Sequence, residues 1–331
     1  MALNPDLPEV YYNGALLYQM VGHGQPAIEC FERAIKMDPD NLQFMQDYHD
    51  LLLECDWQKA GEIANIVEGL ITKQQDNFIM SPMRHIKYNI DPAGNLTWAK
   101  KFTNNRVKNI LNKSGPFKHK KPQTGNIKKI LKVAYISSDI TNHPVTQLMR
   151  GVFKNHNKNE FEIFLYSTAK KQDSAYRNEV IGSFDRVIDT ALLDNMKLAK
   201  LIYNDNIDIL IDLNGHTGQP RLEALALKPA PIQAQYIGYI GSMGADFIDY
   251  IITDRIVTPL SHQKFYTEKF IYMPDCYQAN DNQLEISSHN YQKKDFNLPE
   301  DKFIFCSFNQ SFKIEPVMFQ IWMNILKKNS R

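Results

Sequence analysis

Cysteine is scarce in this chain. The four present among 331 residues, Cys30, Cys55, Cys276 and Cys306, form no C-x-x-C pair. Neither a zinc ribbon nor a disulfide scaffold is predicted, and a reducing cytoplasm is the expected compartment. Net charge is also missing. Lys and Arg number 38 against 37 Asp and Glu, leaving +1, so the whole chain has no strong pull toward nucleic acid or membrane. No apolar run is long enough to span a bilayer. The opening MALNPDLPEV lacks the basic and apolar regions of a signal peptide, and none is predicted. No G-x-G-x-x-G follows the first predicted strand, which disfavours a nicotinamide site, and GYIGSMG lacks the G-K-[ST] ending of a P-loop. His143, His216 and His262 have no ligand spacing and no carboxylate pair is arranged for Mg²⁺, so no metal is expected.

What is present is an ordinary globular composition, 43% apolar, in a length that suggests about two domains. Residues 8–41 carry small side chains at Ala15, Ala27 and Ala34, large ones at Tyr11, Tyr18 and Phe31, and a closing Pro39. This is the pattern of a tetratricopeptide repeat, in which small residues let two antiparallel helices approach and large ones fill the gap. Ala60 and Ala64 repeat the phase more loosely in a second unit; generic helical hairpins are the plainer alternative. Repeats of this kind bind peptides or proteins on a concave face. We place the repeats at 1–75, and a helical bridge and basic linker at 76–129. Seven lysines between Lys113 and Lys132, with Pro116, Pro122 and two glycines, disfavour a packed element there. No aromatic stacking platform accompanies them, so a solvated linker is expected rather than a nucleic-acid contact.

From residue 130 the texture changes. LKVAYIS, FEIFLYS, DRVIDT, IDILIDL, PIQAQYIG, DYIITD and FIFCSF are short runs rich in β-branched and aromatic residues, several separated by helical stretches. Alternation of this kind implies a parallel sheet with helices on both faces. We place one α/β lobe at 130–295, and read 296–331 as the strand, polar tip and helix that begin a second. Ligands of open α/β sheets bind beyond the carboxyl ends of the strands. Those ends read SSDITNHP (137–144), NGHTGQPR (214–221), GYIGSMG (238–244), TD (253–254) and NQSFK (309–313). Taken singly each is a loop or a cap; Asp139 and Asn142, for instance, are placed to cap a helix starting at Pro144. Five polar ends on one sheet point to a site.

SSDITNHPVTQLM, the block from LNGHTGQPR through KPAPIQAQYIGYIGSMG to IITD, MPDCYQANDN and CSFNQSFKIEP together resemble one family. It is the SPINDLY-like, or O-linked N-acetylglucosamine transferase, family of protein glycosyltransferases, and the resemblance runs from about residue 8 to 331. It implies a glycosyltransferase B fold of two Rossmann-like lobes, the second incomplete here. The implied reaction moves a sugar from a nucleotide donor, UDP-GlcNAc by the family pattern, to protein hydroxyls, with inversion and without metal or other cofactor. Carried over by position, Asp139 and His143 lie at the catalytic cleft, Gly238 and Tyr239 face the donor sugar, and Gln310 and Lys313 contact the pyrophosphate. Charge supports these roles: a departing diphosphate needs a cation such as Lys313, and the attacking hydroxyl must lose a proton to His143 or Asp139.

Departures from the family pattern are visible. Ile240 stands where the loop commonly has proline, Val145 where some members carry a hydroxyl, and a histidine of the animal bridge aligns near Phe102. A complete second lobe takes roughly 100 or more further residues, so the chain reads as a fragment with little activity alone. The alternatives are a non-catalytic module whose repeats bind partner peptides, and the same fold using GDP-fucose or UDP-glucose.

Overall fold

The computed structural model describes residues 6–73, 80–88, 91–119, 130–170 and 174–329. The chain divides into two units, one of residues 1–78 with 287–331 and the other of residues 79–286. Half of the lysine-rich stretch from 113 to 132, residues 120–129, lies outside the described residues.

The first unit opens with two helical hairpins: α1 (Pro8–Met20) with α2 (Gly24–Met37), then α3 (Leu42–Leu52) with α4 (Trp57–Lys73). Ala15, Ala27 and Ala34 are fully buried, as close helix approach requires. Phe31 fills the gap between helices, with its ring 5.7 Å from that of Tyr48. The large residue contributed by α1 differs from expectation. Tyr18 is 42% exposed, and Tyr12 enters instead, stacked on Phe44 at 4.6 Å. Tyr12 lies three residues before the buried Ala15 and shares its face, whereas Tyr18 sits in the last turn of α1, where the side chains are exposed. Asn41 starts α3 by accepting the Phe44 N–H.

In the second unit, α5 (Pro82–His85) and α6 (Pro92–Lys113) precede a regular alternation. It runs β1 (Leu131–Ser137), α7 (Pro144–Lys154), β2 (Phe161–Ser167), α8 (Ala175–Ile181), β3 (Arg186–Asp189), α9 (Asn195–Asn204), β4 (Ile209–Asp212), α10 (Leu222–Ala226), β5 (Ile232–Gln235), β6 (Tyr250–Thr253) and β7 (Lys269–Tyr272). Among the described residues these seven strands make one sheet in the order β3-β2-β1-β4-β5-β6-β7. Every adjacent pair is parallel. Side chains alternate across it as a two-residue period demands. Ala134 and Ile136 of β1 face a core shared with α6, α9 and α10, whereas Val133 and Tyr135 face one shared with α7 and α8. Phe102 and Val107 of α6 belong to the first of these cores, so this helix is a layer of the sheet unit. Asp91, Ser174 and Asp194 cap α6, α8 and α9 through their side chains. Among the described residues no helix is long and apolar enough to cross a membrane.

One predicted strand is not formed. Phe303, Ile304 and Phe305 belong to the first unit and have no strand partner there. Phe303 is 80% exposed, and the run lines an open groove of about 790 Å³ together with Trp322 and Leu326. β-propensity without a neighbouring ladder does not make a strand. The helix expected after Pro316 is present as α11 (Pro316–Asn329). It is tied to α4 within the first unit: Trp57 Nε1 donates to the Ile314 carbonyl at 2.9 Å, and its ring lies 5.3 Å from Phe319.

Candidate functional site

The strand order in the sheet of the second unit reverses at β1. From there the chain builds outward through β2 and β3 on one side, then through β4 to β7 on the other. In open α/β sheets such a switch point, beyond the carboxyl ends of the strands, is where ligands bind. Beyond those ends here lie Ser138, Asp139 and His143 after β1, and Asn214 to Gly218 after β4.

Asn214 joins the two loops. Its Oδ1 accepts the Ser138 N–H at 2.8 Å, and its Nδ2 donates to Ser138 Oγ at 2.8 Å and to Asp139 Oδ2 at 2.9 Å. The other oxygen of Asp139 accepts from Ser138 Oγ at 2.9 Å, and its carbonyl accepts from Thr146 Oγ1 at 2.6 Å. Asp139 is thus fixed as an acceptor with 8% of its surface left open. Gly218, at a φ of +59°, passes so close that a Cβ would sit 3.0 Å from Ser138 Oγ. The turn after β4 rests on Asp212, whose oxygens accept the N–H groups of Asn214 and Gly215, each at 3.0 Å. Burial pushes the Asp212 carboxyl up to about 6; those two N–H groups pull the other way, and nearby Asp139 adds to the rise.

His143, rather than Asp139 or Asn142, is the N-cap of α7. Its Nδ1 accepts the Val145 N–H at 3.3 Å. The same nitrogen is 3.7 Å from Asp139 Oδ2, ion-pair distance but longer than a hydrogen bond. With Nδ1 engaged as an acceptor, the neutral ring carries its proton on Nε2, on a side chain that is half exposed. The structure brings Asp139 and His143 together.

The loop 238–244 packs against the turn after β4. Gly238 lies on the Leu213 carbonyl so closely that a Cβ would overlap it, and Gly215 (φ +60°) lies against Tyr239. Tyr239 is buried, with its ring 5.1 Å from His216, and its hydroxyl is pushed well above the usual phenol range by burial. Tyr239, Ile240, Gly241 and Ser242 form one wall of a cavity of about 310 Å³, whose other walls include Asn95, Leu96 and Tyr266.

Four side chains hold the loop, none of them expected from the sequence. Gln235 Nε2 donates to the carbonyls of Tyr239 at 2.5 Å and Gly241 at 3.0 Å. Glu268 accepts from Ser242 Oγ at 2.8 Å and from the Met243 N–H at 2.7 Å. Thr103 Oγ1 of α6 donates to the Met243 carbonyl at 2.7 Å. His216 Nε2 reaches the same carbonyl at 3.0 Å. His216 is 4% exposed, and burial lowers its pKa to about 4, with Arg106 adding to the fall and the Met243 carbonyl opposing it. It is a neutral strut standing edge-on to Phe102 at 5.4 Å. A buried polar residue inside the short strand run IQAQ was the signal for Gln235; Glu268, in YTEKF, reads as a surface charge and gave none.

Gln310 and Lys313 belong to the first unit. Lys313 closes a single 3₁₀ turn, Ser311–Lys313, just before α11, and both side chains are exposed. Among the described residues no group of three His, Cys, Asp or Glu side chains is placed to hold a metal ion.

Comparison with known proteins agrees with this architecture. The model of glycosyl transferase family 41 matches residues 55–294 and 282–331. The probable UDP-N-acetylglucosamine–peptide N-acetylglucosaminyltransferase SEC of Arabidopsis thaliana is 36% identical over 294 residues, covering 85% of this chain and 30% of its own length. The UDP-N-acetylglucosamine–peptide N-acetylglucosaminyltransferase of Caenorhabditis elegans is 31% identical over 235 residues, 69% of this chain and 20% of its own length. This chain therefore spans a third or less of these relatives. A solved structure of a Thermobaculum terrenum O-GlcNAc transferase mutant superposes with a TM-score of 0.70 over 98% of this chain and 60% of that one; at 22% identity this likeness is one of fold. The seven-stranded unit is an α/β glycosyltransferase lobe, and the chain belongs to glycosyl transferase family 41.

Proposed function

We propose that the chain carries the acceptor-presenting and proton-handling part of a protein O-N-acetylglucosaminyltransferase. The donor is a nucleotide sugar, UDP-GlcNAc in the first instance, and the acceptor is a Ser or Thr hydroxyl. The observation that carries this reading is Asp139, locked by Asn214 and Ser138 at the switch point of the sheet, with His143 at 3.7 Å. Family membership supplies the reaction class.

In the proposed step the hydroxyl oxygen attacks the anomeric carbon from the face opposite the diphosphate. The new C–O bond forms as the bond to the phosphate oxygen breaks, and configuration inverts. The hydroxyl proton passes to the Asp139–His143 pair, and the electron pair of the broken bond leaves with the diphosphate. Lys313 and Gln310 are assigned to that departing charge, which a cation and an amide donor stabilise more in the transition state than in the ground state. No metal is required by this assignment. Gly238 and Tyr239 present the donor-side loop. The helical hairpins α1–α2 and α3–α4 are read as tetratricopeptide repeats that present acceptor peptides, and the cytoplasm as the site of action.

The test is transfer of radiolabelled GlcNAc from UDP-GlcNAc to a Ser/Thr peptide pool. It uses this chain, and a chimera that continues it with the portion of the Arabidopsis relative beyond the matched region. Transfer by the chimera, falling at least about 100-fold in Asp139→Asn and in Lys313→Ala, is expected for a general base and a leaving-group cation. Transfer indifferent to both substitutions would overturn the assignment. Preference for GDP-fucose or UDP-glucose in the same assay would change the donor and leave the catalytic roles standing.

A further inference from the structure

The loop 238–244 has no regular secondary structure, no proline and three glycines, Gly238, Gly241 and Gly244. Left to itself such a segment samples many conformations, because glycine loses more freedom on ordering than any other residue. Yet it forms one wall of the cavity described above. Something outside its own backbone must select a single conformation.

That selection comes chiefly from one buried carboxylate. Glu268 is 0% exposed and sits immediately before β7. One oxygen accepts the Met243 N–H and the other accepts Ser242 Oγ. Ser242 Oγ is itself the acceptor for Gly244 N–H at 3.1 Å and Thr267 N–H at 3.2 Å. The Ala245 N–H goes to Thr267 Oγ1 at 3.1 Å. The N–H groups of Met243, Gly244 and Ala245 are therefore satisfied, directly or through one hydroxyl, by Glu268 and its neighbour, while the Met243 carbonyl goes to Thr103 and His216. On the opposite side Gln235 takes the carbonyls of Tyr239 and Gly241. Burial raises the pKa of Glu268, opposed by its bonds to Ser242, Met243 and Thr267. A carboxyl carried at that cost, whose partners outside its own Thr267–Glu268 segment are Ser242 and Met243 among the described residues, is there to hold the loop, since an apolar side chain would pack the same space at no electrostatic cost.

We propose that Glu268 is a positioning residue for the donor-facing loop. With Gln235 as its counterpart, it fixes the wall of the cavity that a nucleotide sugar meets. This deepens the reading given under Proposed function and rests on it for the identity of the ligand, though not for the anchoring itself. Glu268 does not touch the reacting atoms; it acts through Ser242 and Met243.

Hydrogen exchange of the 331-residue chain, read by mass spectrometry, tests the anchor. Glu268→Gln keeps size and removes one acceptor, so that Met243 N–H or Ser242 Oγ loses its partner. Amides of residues 238–245 should exchange about ten-fold or more faster, with β1 and β2 at wild-type rates, as expected for local rather than global opening. Ser242→Ala, which deletes the shared hydroxyl, should reproduce the effect if the glutamine variant fails to fold. Affinity for UDP-GlcNAc, measured by calorimetry, should fall about ten-fold in parallel, the size of one lost charge-assisted hydrogen bond. Wild-type exchange rates in both variants, or acceleration spread evenly over the whole sheet, would overturn the proposal. Absence of UDP-GlcNAc binding by the wild type, with exchange still localised to the loop, counts against the glycosyltransferase reading and for the anchor.

Discussion

Asn214 and Asp139 come from loops 75 residues apart and meet through a single hydrogen bond of 2.9 Å, Nδ2 to Oδ2. The same amide also closes onto Ser138 through both its donor and its acceptor. One side chain thus sets the distance between the two loops at the switch point and the orientation of the carboxylate between them. Asn214→Ala should cost about 1–3 kcal/mol, the penalty for leaving buried donors and acceptors unpaired. Asn214→Asp should cost more, because it replaces the donor to Asp139 with a third carboxylate beside Asp139 and Asp212. Urea unfolding at pH 7 measures both; an aspartate variant as stable as wild type would show that the bond does not hold the loops.

Two glycines should respond in opposite ways to the same added methyl group. At Gly238 a Cβ would overlap the Leu213 carbonyl, which is backbone in the sheet core and cannot yield. Gly238→Ala should lose about 3 kcal/mol or more, or fail to fold, as overpacking against fixed atoms does. At Gly61, in the exposed middle of α4, nothing lies within 4 Å of the added atom. Gly61→Ala should gain roughly 0.5–1 kcal/mol from reduced chain entropy. Thermal midpoints of the two variants decide the matter.

Stability should depend on pH through two buried groups with opposite signs. Asp212 has its pKa raised from 3.8 to about 6 in the fold. The folded state therefore holds this proton more tightly than the unfolded state, and the group's contribution is full below 3.8 and lost as pH rises through about 6. His216 has its pKa lowered from 6.5 to about 4. Its contribution is full above 6.5 and lost as pH falls toward 4, because the unfolded ring binds the proton first. Between pH 4 and 6 the two slopes oppose each other. Asp212→Asn should therefore make stability rise more steeply with pH in that window than in wild type. His216→Gln should make it rise less steeply, or fall. Urea unfolding at half-unit intervals from pH 4 to 7 gives both slopes, and parallel curves for all three proteins would remove both groups from the account.

Much of this fold was legible in the sequence because the strands are buried on both faces. LKVAYIS and FEIFLYS correspond to β1 and β2 residue for residue, since a parallel strand covered by helices must be apolar throughout and its ends must be polar. The nearness of Asp139 and His143 follows from their being four residues apart on one tight loop into α7. What the sequence concealed was long-range. Gln235, Glu268 and Thr103 reach the loop 238–244 from three different elements, and no local pattern marks a charged residue as buried until its neighbours are known. The strand expected at Phe303–Phe305 failed on the same account, since its propensity is local and its ladder is not.

The last prediction concerns Ile240, which stands where the resemblance leads one to expect proline. The residue lies in the wall of the cavity, and its carbonyl accepts from the Tyr266 hydroxyl at 3.1 Å. Among the described residues its backbone N–H has no acceptor, so a proline there forfeits no hydrogen bond. Proline would fix one dihedral of the loop in both folded and unfolded states, which at a compatible position stabilises by roughly 0.4–1 kcal/mol. Anchoring by Glu268 and fixing by proline address the same freedom, so their effects should not add. Ile240→Pro is expected to slow amide exchange across 241–245 in the wild type, and to recover a larger part of the exchange protection lost in Glu268→Gln. A double-mutant cycle on the exchange rates reads that coupling directly. Strict additivity would mean that the side-chain anchor and the backbone at Ile240 act on different motions.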